Sequence, residues 1–147
     1  MEARIGTYSE HLPGINQIWS FSDLASLGTY FLFSFPLRSS LLHMSADWSD
    51  IQEVDEDTSG MQLECRTLAA GAFGDHIVQI TERSVFVYQQ QYSIASPTAL
   101  CFTRHVGSLE ERIVGAAFEE VTHSIITAVE RDGEYQLHAA RIVAVCG

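Results

Sequence analysis

The chain has 147 residues, of which 46% are hydrophobic and 18% are charged. This balance predicts one folded domain with a core of ordinary size, and it excludes a disordered chain. The formal net charge is −11, and all eight basic residues are arginine. Because such a charge repels phosphate groups and anionic lipids, a basic nucleic-acid footprint and a membrane-surface role are excluded for this segment.

Short apolar runs of 5 to 8 residues, separated by polar residues, glycine or proline, recur along most of the chain. Runs of this length and composition are typical of β-strands, and helical periodicity is hard to find. The sequence therefore predicts an all-β fold. In chain order the predicted strands are Asn16–Phe21, Thr29–Phe35, Ser39–Ser45, Thr67–Phe73, His76–Thr81, Ser84–Gln89, Thr98–Thr103, Ile113–Phe118, Ser124–Glu130 and Glu134–Val143.

The segment Asp47–Gly60 is acidic and rich in turn-forming residues. It predicts a long, solvent-exposed connection that holds at most a short strand at Ile51–Val54. Trp48 stands on this connection, and exposed tryptophans are favoured anchors at protein interfaces. Trp48 is therefore the one candidate interaction residue, with burial against the fold as an equally open interpretation.

The three cysteines, Cys65, Cys101 and Cys146, are odd in number, widely spaced and without a C-x-x-C motif. They predict buried, reduced thiols and a reducing compartment. The first ten residues have no apolar signal core, and the longest strongly apolar run, Tyr30–Phe35, is too short to cross a bilayer. Neither secretion nor a membrane span is expected.

The residue types that usually carry chemistry form no recognisable motif. None of the six histidines stands at the spacing of a metal-binding pair, so no metal or other cofactor is predicted. There is no G-x-S-x-G motif and no glycine-rich phosphate loop before a helix. The neighbouring acids on the acidic connection lack the burial that raises a carboxyl pKa. An enzyme and a small-molecule substrate are therefore not expected. These acids are Glu53, Asp55, Glu56 and Asp57.

An internal repeat organises the predicted strands. Leu68–Phe73, with the sequence LAAGAF, leads into a hairpin and recurs 45 positions later as Ile113–Phe118, IVGAAF, with another hairpin. A weaker copy begins at Thr29–Phe35, about 47 residues before His76–Thr81. Periods of roughly 40 to 50 residues with four short strands each are typical of β-propeller blades.

Residue size also favours a propeller. Innermost strands meet near a crowded axis and favour Gly and Ala, as in LAAGAF and IVGAAF, whereas middle strands lie between blades and can be apolar on both faces. The sequence predicts a partial β-propeller of about two to two-and-a-half blades, each a four-stranded antiparallel sheet. A β-sandwich built from the same alternating strands is the alternative.

Several short motifs occur in a fixed order. They are Leu12–Ile15 with Trp19, Ser34-Phe35, Leu41-Leu42, Thr67-Leu68, Ile77–Thr81 and Ser84-Val85. In order and spacing, the chain from Glu10 to about Val143 resembles a family of large triple-propeller scaffold proteins. This family includes the large subunit of the damaged-DNA-binding complex, the large subunit of the cleavage and polyadenylation factor, and a propeller subunit of a spliceosomal complex.

The resemblance implies that residues 1–27 lead in from a preceding propeller and that residues 28–147 form blades of a second propeller, incomplete within this chain. It also implies a non-enzymatic nuclear scaffold that acts by protein contact. The motif sequences are most similar to those of the damaged-DNA-binding branch. This similarity implies a cullin-type ubiquitin ligase subunit as partner and a role in DNA repair. The other branches imply RNA-processing factors as partners, with nucleic acid bound through the full-length assembly. A small β-sandwich protein or enzyme is the remote alternative.

Overall fold

The computed structural model describes residues 14–90, 98–105 and 111–142, with the backbone alone for 98–105. The described part consists almost wholly of β-strands, which confirms the all-β prediction. The strands are β1 Gln17–Ser22, β2 Thr29–Ser34, β3 Ser39–Met44, β4 Ile51–Val54, β5 Thr67–Phe73, β6 His76–Thr81, β7 Ser84–Gln90, β8 Thr98–His105, β9 Arg112–Glu119, β10 Ser124–Arg131 and β11 Glu134–Arg141, and the one short helix among them is α1 Glu56–Ser59.

The described strands form three antiparallel sheets, which are the blades of a partial propeller. Blade 1 has the order β1-β2-β3-β4, blade 2 has the order β5-β6-β7-β8, and blade 3 has β10 between β9 and β11. Each strand pairs with its neighbour in sequence, because antiparallel strands can be joined by short turns. The repeat seen in the sequence is thus structural: the LAAGAF and IVGAAF segments are the first strands of blades 2 and 3.

The first strands of the three blades lie beside one another. β5 contacts β1 on one side and β9 on the other, as inner strands do when they converge on a propeller axis. Small residues permit this approach. At Gly71 of β5, a Cβ atom would lie only 2.5 Å from Cδ1 of Phe118 on β9. β5 and β9 agree with the predicted link between small residues and inner strands, whereas β1, with the sequence QIWSFS, carries larger side chains.

Two apolar cores fill the spaces between the blades. The core between blades 1 and 2 contains Phe21, Tyr30, Leu32, Leu41, Met61, Ile77, Phe86 and Tyr88. The core between blades 2 and 3 contains Ala69, Val78, Ile80, Val85, Val87, Ile113, Ile125 and Val129. Alternate residues of β6 and β7 point into opposite cores. Blade 2 is therefore buried on both sides, which explains why its middle strands carry apolar residues on both faces.

The turn between β6 and β7 carries Glu82-Arg83 instead of the Asn-Gly or Asp-Gly typical of tight hairpins. Blade 3 holds this turn in place. The N–H of Ile113 donates to the Glu82 carbonyl at 2.7 Å, and the Arg83 guanidinium donates to the Glu111 carbonyl at 3.0 Å. Packing between blades, rather than turn chemistry, thus fixes the hairpin.

The connection Asp47–Gly60 is more ordered than the sequence predicts. β4 completes blade 1 by pairing with β3, and α1 follows it. The Asp55 carboxylate caps α1 by accepting a hydrogen bond from the Thr58 N–H at 2.7 Å, and Gly60 ends the helix with φ of 76°. Ser59 is fully buried. The predicted short strand at Ile51–Val54 is β4, and most of the connection is exposed as predicted. The sequence did not indicate α1, whose last residue packs into the fold.

Exchanging Gly71 for alanine is expected to lower the free energy of unfolding by about 1–3 kcal/mol. The added methyl group must displace the Phe118 ring, which is itself packed against Phe73 with a centroid separation of 5.8 Å. Urea unfolding followed by circular dichroism measures the change.

Gly115 of β9 supplies the control for this substitution. A Cβ atom at Gly115 would have Cβ of Ala128 as its nearest neighbour, at an ordinary 4.0 Å. Gly115→Ala is therefore expected to leave the free energy of unfolding unchanged or to raise it by up to about 1 kcal/mol. Equal losses from both substitutions would contradict the close approach of β5 to blade 3.

Candidate interaction surfaces

A buried polar network crosses the seam between blades 1 and 2. Gln79 of β6 is fully buried, and its amide nitrogen donates to the Gln62 carbonyl at 2.7 Å and to the Thr67 hydroxyl at 2.9 Å. Its amide oxygen accepts a hydrogen bond from the Tyr88 hydroxyl at 2.8 Å. The Thr67 hydroxyl also reaches the Ser39 hydroxyl of blade 1 at 2.7 Å. Because these groups satisfy one another, the network positions the two blades and leaves no donor for a ligand.

Among the described residues, no further blade covers the side of blade 3 that corresponds to the covered sides of blades 1 and 2. Tyr30, Val78 and Ile126 stand 48 positions apart in successive blades. Tyr30 and Val78 are 4% and 0% exposed because each packs against the next blade, whereas Ile126 is 49% exposed. Tyr135 and Leu137 of β11 lie on the same side and are also exposed. We call Ile126, Tyr135 and Leu137 the open face. Its apolar composition is typical of an interface.

Trp48, the predicted interaction residue, lies at the tip of the β3–β4 turn. Its side chain is 60% exposed, and its backbone φ is 63°. The turn is held by its own polar groups: the Trp48 N–H donates to the Ser45 carbonyl at 3.0 Å, and the Ser49 N–H donates to the Asp47 carboxylate at 3.0 Å. The structure thus places Trp48 on the surface and outside both cores. Its role in binding stays a prediction.

Leu27 is a second exposed apolar residue at the same end of blade 1, and the sequence pattern did not indicate it. It is 82% exposed in the β1–β2 turn and has φ of 63°. Its N–H donates to the Asp23 carbonyl at 2.9 Å, and the Asp23 N–H donates to the Gly28 carbonyl at 2.9 Å. The only signal in the sequence is that the leucine precedes the glycine of the turn.

Leu27 and Trp48 both occupy positions where hairpin turns usually have Gly or Asn. A bulky side chain in the left-handed backbone region costs about 1–2 kcal/mol, whereas glycine adopts this region freely. Neither side chain recovers this cost by burial, since both are exposed. Strain of this kind at an exposed apolar residue points to a role in binding.

Asp23, Ser26 and His43 form a hydrogen-bonded trio between the β1–β2 turn and β3. The residue types are those of a catalytic triad, but the geometry is different. The Asp23 carboxylate contacts the Ser26 hydroxyl and lies 2.8 Å from His43 Nε2, and Ser26 Oγ lies 3.2 Å from the same nitrogen. A triad places the carboxylate and the hydroxyl on opposite ring nitrogens. The trio therefore anchors the turn and prepares no nucleophile.

This anchor makes the stability of the fold depend on pH. Burial raises the pKa of the Asp23 carboxyl, but hydrogen bonds from Ser26, the Ala25 N–H and His43 outweigh burial and hold the pKa below its usual 3.8. Because the pKa is lower in the folded state, the stabilisation is complete above the unfolded-state pKa and is lost as the pH falls through the folded-state value. The difference in free energy of unfolding between wild type and Asp23→Asn is expected to shrink below about pH 4.

Urea unfolding of both proteins at a series of pH values checks this expectation. Asp132→Asn is the control, because the Asp132 side chain is 82% exposed, and its difference from wild type is expected to stay near zero throughout. A difference between wild type and Asp23→Asn that grows as the pH falls would contradict the assignment.

The acidic residues around α1 line an open groove of about 390 Å³ beside blade 1. Their charges are largely used by the chain itself. The Glu56 carboxylate accepts hydrogen bonds from the N–H groups of Leu63 and Glu64, at 2.6 Å and 2.8 Å, and Asp55 caps α1. Two of the four predicted acids, Asp55 and Glu56, thus stabilise the connection.

Two of the described histidines lie against the same aromatic ring. His76 and His123 flank the Phe73 ring at centroid distances of 5.2 Å and 4.4 Å. Cys65 is a free, half-buried thiol whose pKa is raised by burial, while the side chain of Cys101 and all of Cys146 lie outside the description. No group of His, Cys, Asp and Glu in the described residues is arranged to hold a metal ion. Across these ranges, too, no helix has the length and apolar character needed to cross a membrane.

Blades that pack face to face around converging small-residue strands define the class: this is a β-propeller protein in partial form. Comparison with protein-family models then gives the family. The model described as the RSE1/DDB1/CPSF1 second beta-propeller matches residues 7–131, so the chain belongs to this family. A direct search of curated proteins gives no significant match.

The family match confirms the resemblance drawn from the motifs, including the assignment to the second propeller. The family match and the three stacked sheets together confirm the partial propeller and rule out the β-sandwich alternative. The matched domain is a scaffold domain of nuclear proteins, so scaffolding is the class of function that the family indicates.

Proposed function

We propose that this chain is a non-enzymatic part of a nuclear scaffold that holds protein partners together. The observation that carries the proposal is the match of residues 7–131 to a propeller domain of scaffold proteins. Exposed apolar residues support it at two places, the open face and the turns that bear Leu27 and Trp48. Large exposed apolar side chains are common where proteins bind one another.

We further propose that residues 1–27 lead in from a preceding propeller and that residues 28–147 belong to an incomplete second propeller. β1 lies within the first of these segments and pairs along its full length with β2. The lead-in therefore also supplies the first strand of blade 1. In this arrangement the open face receives a further blade, as Tyr30 and Val78 do in blades 1 and 2.

Within the family, the proposed role is that of an adaptor for a cullin-type ubiquitin ligase in DNA repair. Support comes from the sequences of Leu12–Ile15 and Ile77–Thr81, which are most similar to those of the damaged-DNA-binding branch. The absence of lysine is consistent with a ligase scaffold, because the chain then offers no ordinary ubiquitin acceptor.

A scaffold for pre-mRNA cleavage, polyadenylation or splicing is the second candidate. The matched family description covers RSE1 and CPSF1 as well as DDB1, which favours keeping this candidate. Nucleic acid would then be bound through the assembly, because a net charge of −11 on this chain repels phosphate.

Affinity purification from nuclear extract, with the 147-residue chain as bait, separates the two candidates. Recovery of a cullin without RNA-processing factors supports the ligase adaptor, and recovery of processing factors without a cullin overturns it in favour of the second candidate. The Val78→Asp variant is the control bait, because it places an unpaired carboxylate in a core and is expected to unfold. Partners captured equally by this variant are not specific to the fold.

A further inference from the structure

The turns that bear Leu27 and Trp48 are neighbours at one end of blade 1. Thr29 of β2 pairs with Met44 of β3, and the two turns begin just beyond this pair. Their bases are in contact, since a Cβ atom at Gly28 would lie 2.5 Å from the Met44 carbonyl oxygen. Two large apolar side chains, 82% and 60% exposed, therefore stand at adjacent turn tips. We call Leu27 and Trp48 the apolar tips.

The surroundings of the apolar tips carry negative charge. The turn that holds Trp48 contains Asp47 and Asp50, both exposed, and neither turn contains a basic residue. Hydrogen bonds led by the Ser49 hydroxyl lower the pKa of Asp47 to about 2, so this carboxylate is charged at neutral pH. Tryptophan offers the best aromatic face for a cation, and flanking carboxylates strengthen the attraction. An exposed tryptophan between two aspartates suits a guanidinium or ammonium group.

The turns are also built to keep this surface in one conformation. Asp23 holds the first turn through the Ala25 N–H and the Ser26 hydroxyl. Asp47 holds the second turn through the N–H and the hydroxyl of Ser49. A surface that is already ordered loses little conformational entropy when it binds. Both side chains are exposed among the described residues, although the backbone at each tip is in the left-handed region.

We propose that the apolar tips bind a short basic segment of a partner protein, in which Arg or Lys side chains alternate with large aliphatic ones. The aliphatic side chain packs on Leu27, and the cation lies over the Trp48 ring between Asp47 and Asp50. The inference rests on the proposed scaffold role only in taking the partner to be a protein. It holds for either branch of the family.

Fluorescence anisotropy with a labelled synthetic peptide tests the proposal on the 147-residue chain. The probe is a short peptide in which Arg and Leu alternate. We expect saturable binding that weakens as salt rises, because exposed charges are screened, and a change in the emission of Trp48. One comparison peptide has Glu in place of Arg, and the other has Ser in place of Leu. Both are expected to bind at least about tenfold more weakly.

Leu27→Gly and Trp48→Gly locate the binding site. Each puts glycine at a positive-φ position, so the thermal midpoint is expected not to fall, while affinity for the Arg/Leu peptide drops about tenfold or more. Leu37→Ser is the matched control, because Leu37 is 86% exposed at the opposite end of blade 1. This variant is expected to bind the Arg/Leu peptide with wild-type affinity. Wild-type affinity in both glycine variants, equal binding of the Arg/Ser peptide, or no saturable binding would each overturn the proposal. The assay uses no cell extract, so its outcome is independent of the affinity purification.

Discussion

Replacing Tyr88 with alanine is expected to lower the free energy of unfolding by about 3–5 kcal/mol, the cost of removing a large aromatic side chain from a core. Tyr88 is fully buried between blades 1 and 2, and its hydroxyl donates to Gln79 at 2.8 Å. The substitution removes apolar contacts and also leaves a buried amide oxygen with a weaker set of partners. Urea unfolding followed by tryptophan fluorescence measures the loss.

Two further variants separate the contributions of Tyr88. Tyr88→Phe keeps the ring and removes only the hydroxyl, so we expect it to lower the free energy of unfolding by about 1–3 kcal/mol relative to wild type. Tyr135→Ala is the control, because Tyr135 is 68% exposed on blade 3, and it is expected to change stability by less than about 0.5 kcal/mol. Similar losses from Tyr88→Ala and Tyr135→Ala would contradict the packing of blade 2 against blade 1.

Introducing aspartate at Val78 is expected to unfold the chain, whereas the same change at Ile126 is expected to be tolerated. The two residues stand at the same place in successive blades, but Val78 is 0% exposed and Ile126 is 49% exposed. A carboxylate buried without a partner costs several kcal/mol, while an exposed one keeps its hydration. Circular dichroism and thermal unfolding distinguish a folded from an unfolded variant.

The size of the effect at Ile126 also reports on the open face. In the 147-residue chain we expect Ile126→Asp to change the free energy of unfolding by less than about 1 kcal/mol. If a further blade packs on this face in a longer protein, the same substitution there is expected to cost as much as Val78→Asp. Unfolding of the 147-residue chain by Ile126→Asp would show that the open face is already covered.

The strands could be predicted from the sequence because each is short, apolar and bounded by polar residues. β5 and β9 were also placed correctly as inner strands, since a run such as Leu68–Phe73 has too little side-chain volume for any other layer. Middle strands were predicted to lie between blades, and His76–Thr81 of blade 2 is buried on both faces. These features depend on local composition, and the repeat made them visible more than once.

Other features depend on contacts between distant residues, and the sequence could not show them. Gln79 looks like an ordinary polar residue in a strand, yet its partners Gln62 and Tyr88 lie on other segments. The short helix α1 was missed because a single turn has no periodicity to detect. Leu27 was missed because its exposure follows from a backbone conformation that leucine rarely adopts.

Of the candidate surfaces, one could be predicted from local sequence and the other could not. Trp48 could be nominated from residue type and an acidic setting, and the structure places it on the surface with its neighbour Leu27. The open face could not be predicted residue by residue, because Ile126 and Val78 look alike in sequence. Only the arrangement of the blades shows that one of them is covered and the other is not.

Hydrogen exchange of the 147-residue chain, read by mass spectrometry, tests most directly the claim that it is a stack of propeller blades. Amides that open only with the whole fold exchange most slowly. We expect the strongest protection in β6 and β7, which lie between two blades, and the fastest exchange among the described strands in β11, an outer strand exposed on both faces. Equal protection of β11 and β6, or rapid exchange throughout β6 and β7, would contradict the stacking of the blades.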